Sequence, residues 1–256
     1  MSIEERIKEI NDYREDEGIN QSFLKSVLVN NPKPDKGDSD TISTYKGSLT
    51  DVITLVPELF DEFYYLTNLS KEPPPQIKST LDKAYQVQVD IGISPEWDNG
   101  LLLEAFRTIS SVKTNDEKVL ENLLKHENYW EELIKSSGKK VITQDYWNIC
   151  NSAMLTLKSH PNVKHVFENT LFSDILYQVP LYCDYECDGM PVRLKGLLDM
   201  LEVDNHNRTV RIRDLKTTSS TIEEWKYIAR KYNYAFQMAY YYNLVNICYP
   251  GYVQLP

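Results

Sequence analysis

Apolar residues recur along this chain at two different periods, and the period changes beyond about residue 170. Before that point the spacing is mostly the three to four residues of a helix. Residues 3 to 16 read as a helix, and INQSFLKSVLVNNP, after Gly18, reads as a second one, with Asn20 or Ser22 near its start and Pro32 beyond its end. PKPDKGDSDT has the composition of a loop. In KGSLTDVITLVPELFDEFYYL the residues Leu49, Val52, Ile53, Leu55 and Val56 keep helical spacing until Pro57 interrupts, and one acid, Asp51, sits within that apolar helix. Pro73 to Pro75 mark a break. Residues 77 to 137 then read as a run of helices carrying Trp97, Phe106, Tyr129 and Trp130, closed by SSGKK, and a further helix is predicted over 144 to 158.

The second period follows. ILYQVPLYCDYE, PVRLKGLLDMLEVD and RTVRIRDLKTT are β-type runs separated by the turn compositions CDGMP and DNHN, and the simplest arrangement is a three-stranded antiparallel meander. From Ile222, EEWKYIARKYNYAFQMAYYYNLV reads as one long helix with an aromatic stripe, opened by Ser or Thr caps and acidic in its first turn. GYVQLP looks like the opening of another strand, so the expectation is a truncated chain or one that lacks a final strand. The architecture expected is α/β: a small mixed central sheet, helices on both sides, and a helical insertion or wall over about 70–160. The whole of 1–256 would be one domain, with 172–246 holding the catalytic strands and the helix after them.

Composition narrows the function classes. Of 256 residues, 41% are hydrophobic, enough for a sizeable core. No apolar run approaches the roughly 20 residues that span a bilayer, and MSIEERIKEI lacks the apolar stretch of a signal peptide. The expectation is a soluble, cytoplasmic protein with no membrane partner. A net charge of −10 argues against nonspecific coating of nucleic acid. Locally the balance reverses: Arg208, Arg211, Arg213, Lys216, Lys226, Arg230 and Lys231 face only Asp214, Glu223 and Glu224, although such a run taken alone is better explained as a solvated charged face. Cys150, Cys183, Cys187 and Cys248 include one close pair in CDYEC, with no second pair or nearby histidine to complete a four-ligand site, so reduced thiols and no zinc or iron–sulfur cluster are expected. His126, His160, His165 and His206 add no ligand set; His206 falls in the DNHN turn and His160 precedes Pro161.

The strongest local signal is the hairpin GLLDMLEVDNHNRTVRIRDLKTT. With DNHN as its turn, Asp199 and Asp214 lie at nearly matching heights, and period-2 alternation puts Lys216 on the face of Asp214. Two carboxylates there suit Mg²⁺, which takes one or two of them together with water and substrate phosphate. Such an ion would polarise a scissile phosphate and acidify water, while Lys216 would orient the water and offset transition-state charge. An acid-x-lysine tripeptide occurs often by chance, and alone it is better explained as a cross-strand ion pair. Here Leu197, Leu198, Val210, Ile212 and Leu215 make the strands read as core, where embedded charges need a partner or a metal. On the next helix Gln237 and Tyr241 are one turn apart, with Arg230 and Tyr234 further back on roughly the same side. They could bond a DNA phosphate or hold the acids in place. Tyr234, Tyr240 and Tyr242 are equally compatible with core packing; Gln237 is less so.

The order LLD, DLKTT, then Q-x-x-x-Y resembles the PD-(D/E)xK nuclease superfamily, and within it the RecE-like (exonuclease VIII type) exonucleases of phages and prophages. INQSFLKSVLVNNP, KGSLTDVITLVPELFDEFYYL and VITQDYWNICNSAMLTLKSHP are similar to that group's opening helix, glycine-led helix and pre-catalytic helix. The resemblance implies a restriction-endonuclease-like core in which Asp199, Asp214 and the carbonyl of Leu215 hold the metal. Lys216 would be the catalytic lysine, and Gln237 and Tyr241 would support it. Asp51 stands where the group usually carries histidine or glutamate, and is carried over as a third acidic metal-site group. The implied activity is Mg²⁺-dependent (Mn²⁺ substituting) exonuclease action on double-stranded DNA ends in phage recombination, in a bacterial host's cytoplasm. A recombinase or single-strand-annealing partner and a homo-oligomer are also implied. The alternatives are a nuclease-fold protein that binds DNA or protein without cutting, and an endonuclease or single-strand nuclease with the same site.

Overall fold

The computed structural model describes residues 2–28, 42–110, 114–218 and 220–256, the side chains of 42–46 excepted. The loop expected at PKPDKGDSDT lies outside the described residues. In chain order the helices and strands are α1 (Ile3–Glu15), α2 (Gln21–Leu28), α3 (Ile42–Leu55), α4 (Phe60–Phe63), β1 (Tyr64–Leu66), α5 (Pro75–Asp90), α6 (Asn99–Ile109), α7 (Asp116–Leu124), α8 (Glu127–Ser136), β2 (Lys140–Ile142) and α9 (Gln144–Ser159). They continue with β3 (Ser173–Cys187), β4 (Met190–Asp204), β5 (Thr209–Arg213), α10 (Trp225–Lys231), α11 (Tyr234–Cys248) and β6 (Val253–Gln254). The fold is mixed α/β, consistent with a restriction-endonuclease-like core. The chain forms two compact units, Met1–Leu59 with Ala153–Pro256, and Phe60–Ser152.

In the first unit the sheet order is β3-β4-β5-β6. β3, β4 and β5 are the antiparallel meander expected from the alternating runs, and β6 adds a parallel pair through Thr209↔Val253 and Val210↔Gln254. Its two faces are covered by different helices. The side chain of Lys195 reaches the Tyr13 and Asp16 carbonyls at the end of α1. Its neighbour Gly196 points the other way, where a Cβ would lie 2.6 Å from Leu244 and 3.3 Å from Tyr241 of α11. The absent side chain thus lets α11 settle directly on β4. Leu181, Cys183, Leu198, Leu201, Val203 and Val210 pack with Tyr240, Tyr241, Leu244 and Val245 on this face. Each fully buried leucine contributes roughly 1.5–3 kcal/mol.

Leu198 and Leu201 share that cluster although they are three residues apart, so strict alternation fails between them. The discontinuity falls at Asp199. Across the ladder Gln178 has φ of 49°, and pairing passes from Tyr177↔Met200 to Val179↔Leu198 with no Gln178–Asp199 pair between. The distortion lifts one acid out of regular sheet geometry.

The second unit is built on helices whose buried residues fall four apart. Leu81 and Tyr85, Leu102 and Phe106, Val119 and Leu123, and Tyr129 and Leu133 form one core with Trp130 and Val141. Buried Gln88 closes the α5–α6 connection by bonding the backbone of Glu96 in both directions, at 2.9 and 2.8 Å. β1 and β2, a parallel pair, were not expected from the sequence; each has three residues, too few for a period to show.

One expected element is also different. The long helix after Ile222 is a short 3-10 turn followed by α10 and then α11, broken at Asn233, which is left-handed with φ 51° and ψ 47°. Asparagine tolerates this conformation better than most residues. The cap at its start is as expected: Thr221 and Glu224 form a reciprocal capping box. Among the described residues no helix is long and apolar enough to cross a membrane.

Candidate active site

The β4–β5 hairpin fixes two of the acids. The last ladder pair before the strands part is Met200↔Arg213, so Asp199 and Asp214 stand opposite each other one step further on. β5 ends at Arg213, and Asp214 to Thr218 continue without strand pairing. Period-2 geometry therefore does not govern Lys216, yet its ammonium still forms an ion pair with Asp214 Oδ2. Both side chains are largely withdrawn from water, 23% and 10% exposed, so this pair is screened less than a surface pair.

Each carboxylate is held by named donors. The N–H of Leu215 donates to Asp199 Oδ2 at 2.7 Å and the Gln178 amide donates to Oδ1 at 3.3 Å. Gln237 Nε2 donates to Asp214 Oδ1 at 3.0 Å and to the Tyr241 hydroxyl at 3.3 Å. Of the two roles open to the amide, the free protein shows it holding an acid. Burial pushes the Tyr241 hydroxyl up to about 12, so it stays protonated at neutral pH.

Asp51, on α3, completes the electrostatic picture. Burial, and then the charges of Asp199 and Asp214, push its carboxyl up to about 7 against the partial relief of Lys216. Asp199 is also raised, first by burial and then by Asp214, while Lys216, Leu215 and Gln178 pull it down. Three acids thus share the influence of one lysine. Among the described residues no group of three or more His, Cys, Asp or Glu side chains is gathered closely enough to hold an ion by itself. The acids feel one another's charge without forming a closed cage. Oxygen donors with excess negative charge under burial fit a hard divalent cation that keeps several waters.

Arg230 makes no hydrogen bond or ion pair to this group among those described. It is exposed in the last turn of α10, and the break at Asn233 removes the helical phase that would align it with Gln237 and Tyr241. Other basic residues of the segment have partners: Arg211 and Arg213 both bond Glu202, and Arg208 lies over the Tyr252 ring. Tyr240 and Tyr242, read as possible core residues, differ. Tyr240 is buried and donates to the carbonyls of Ile19 and Lys195, whereas Tyr242 is 49% exposed.

Gln178 and Gly196 of this neighbourhood escaped the sequence reading, whereas Gly47 is the glycine of the glycine-led helix. Gln178 lies in a β run where nothing marks a positive φ. Gly196 belongs to GLLD, and a glycine inside an apolar strand does signal a close approach. Gly47 is one turn before Asp51 on α3, and a Cβ there would lie 3.5 Å from Thr217 Oγ1, which places α3 beside the segment after Lys216.

Residues 100–246 match the sequence model of the PD-(D/E)XK nuclease superfamily. No curated protein matches the chain.

Proposed function

The chain belongs to the PD-(D/E)XK nuclease superfamily, and from that premise we propose that it is a Mg²⁺-dependent deoxyribonuclease acting as an exonuclease on double-stranded DNA ends. The observation that carries this is the meeting of Asp199, Asp214 and Lys216 beside Asp51, with more half-buried negative charge than one lysine offsets. Asp199 and Asp214 would hold the cation, with the Leu215 carbonyl beside them and Asp51 adding a third charge. A bound divalent cation supplies charge neutralisation at the scissile phosphate and makes water more acidic. Lys216 orients the attacking water and offsets charge that develops on the phosphoryl oxygens. Leu215 and Gln178 fix the angle of Asp199, and Gln237, backed by Tyr241, fixes that of Asp214.

Preference for duplex ends and a role in phage recombination are supported by the likeness of LLD, DLKTT and Q-x-x-x-Y to the RecE-like exonucleases. That likeness also implies an annealing or recombinase partner and a ring-like homo-oligomer in a bacterial host's cytoplasm. The test is incubation with end-labelled linear duplex and with covalently closed circular DNA, in Mg²⁺, in Mn²⁺ and in EDTA. Metal-dependent loss of the linear DNA alone is expected. Cutting of the circle would make the protein an endonuclease, and no cutting in any condition would leave a binding protein on a nuclease fold.

A further inference from the structure

Tyr232 and Tyr234 would lie on opposite sides of an unbroken helix, because residues two apart do not face each other. The left-handed turn at Asn233 brings them together: their rings stack with centroids 5.9 Å apart and planes inclined by 23°. Tyr234 stacks in addition on Trp225, at 5.6 Å and 28°. The ammonium of Lys216 lies 5.4 Å from the Tyr234 ring centroid, so this group of three aromatics begins at the lysine of the candidate active site. At its outer side Tyr232 is 47% exposed, with Lys231 over its ring at 5.3 Å. Lys226 and Arg230 are exposed on the same short helix. Two acids are near: Glu224 is engaged in the cap at Thr221, and Glu223 is exposed.

An exposed ring, Tyr232, backed by the half-buried Tyr234 and Trp225, interleaved with cations and continuous with a phosphate-cutting site, has the chemistry that binds unpaired nucleotides. Each base offers a flat apolar face to a ring, while the cations follow the phosphates. A duplex conceals those faces in its own stack. We propose that Trp225, Tyr232 and Tyr234 form a stacking platform for the unpaired bases of a DNA end whose backbone leads to Lys216. The proposal rests on the nuclease reading, because it takes Lys216 as the point where the scissile phosphate arrives.

The test is a binding titration in EDTA, where cleavage plays no part. A twelve-residue oligothymidylate is added while tryptophan emission is followed, and a blunt hairpin duplex serves as comparison. Trp97, Trp130 and Trp147 belong to the other compact unit, so a stacking signal should come from Trp225. The emission should change with oligothymidylate, and the change should vanish in Trp225→Phe. Tyr232→Ala should weaken oligothymidylate binding about tenfold, as expected for the loss of one base stack, and weaken duplex binding much less. Tyr232→Phe should restore the affinity, which separates stacking from disturbed folding. An unchanged affinity in Tyr232→Ala, or equal losses on both DNAs, would overturn the platform. Stacking with no cleavage of any DNA in Mg²⁺ would instead overturn the nuclease reading alone, and cleavage without stacking would overturn the platform alone.

Discussion

Asp51→Asn should stabilise the metal-free protein, by an amount that depends on pH. Burial and the charges of Asp199 and Asp214 raise the Asp51 carboxyl from 3.8 to about 7. A carboxyl raised in the folded state binds its proton more tightly there than in the unfolded chain, so folding gains nothing from its ionisation and loses stability as pH rises from about 4 to about 7. At about 1.4 kcal/mol per unit over roughly three units, the full loss is about 4 kcal/mol at pH 8. The asparagine variant keeps the side chain's size and lacks this slope. Urea unfolding in EDTA, followed by far-UV circular dichroism, should show the two proteins nearly equal at pH 4. At pH 8 the variant should be ahead by up to about 4 kcal/mol. Mg²⁺ at pH 8 should then stabilise the wild type more than the variant, because the cation offsets the crowded charge. A variant no more stable than wild type at pH 8 without metal would mean that Asp51 is either solvated or fully paired, and not destabilised by its neighbours.

Lys216→Ala should lower kcat for DNA cleavage by at least 100-fold while changing metal affinity little, because the lysine acts on water and phosphate while the acids act on the ion. Comparable losses in both quantities would contradict that division. Gly196→Ala should destabilise the fold by about 1–3 kcal/mol through overpacking, since the new methyl meets buried Leu244 and the Tyr241 ring. It should also slow cleavage, because Tyr241 braces Gln237 against Asp214. A variant that melts and cuts like wild type would show that α11 can move away from β4 at little cost.

The hairpin was legible because it is local. Alternation marks the strands, DNHN marks the turn, and together they set Asp199 opposite Asp214. The opening helix and the helical run of the second unit were legible for a similar reason, since each carries its own apolar period. What the pattern did not show depends on single backbone angles or on distant packing. Asn233 and Gln178 adopt positive φ in stretches whose composition reads as plain helix and plain strand. Lys195 is buried in β4 because α1 ends beneath it and offers two carbonyls, from residues 182 and 179 positions away in the chain. Lys216 was placed beside Asp214 by an argument from strand alternation, but the strand stops at Arg213. The ion pair, and not the pleat, joins the two residues there.

A metal-dependent phosphodiester-cutting site built on Asp199 and Asp214 needs both the carboxylates and the ion. The decisive experiment compares the release of label from linear duplex DNA by wild type and Asp214→Asn, side by side, in Mg²⁺ and in EDTA. The wild type should release label in Mg²⁺ only, and the variant none, although it should remain folded because it loses charge and not volume. Release by Asp214→Asn at the wild-type rate, or release by either protein in EDTA, would rule out such a site.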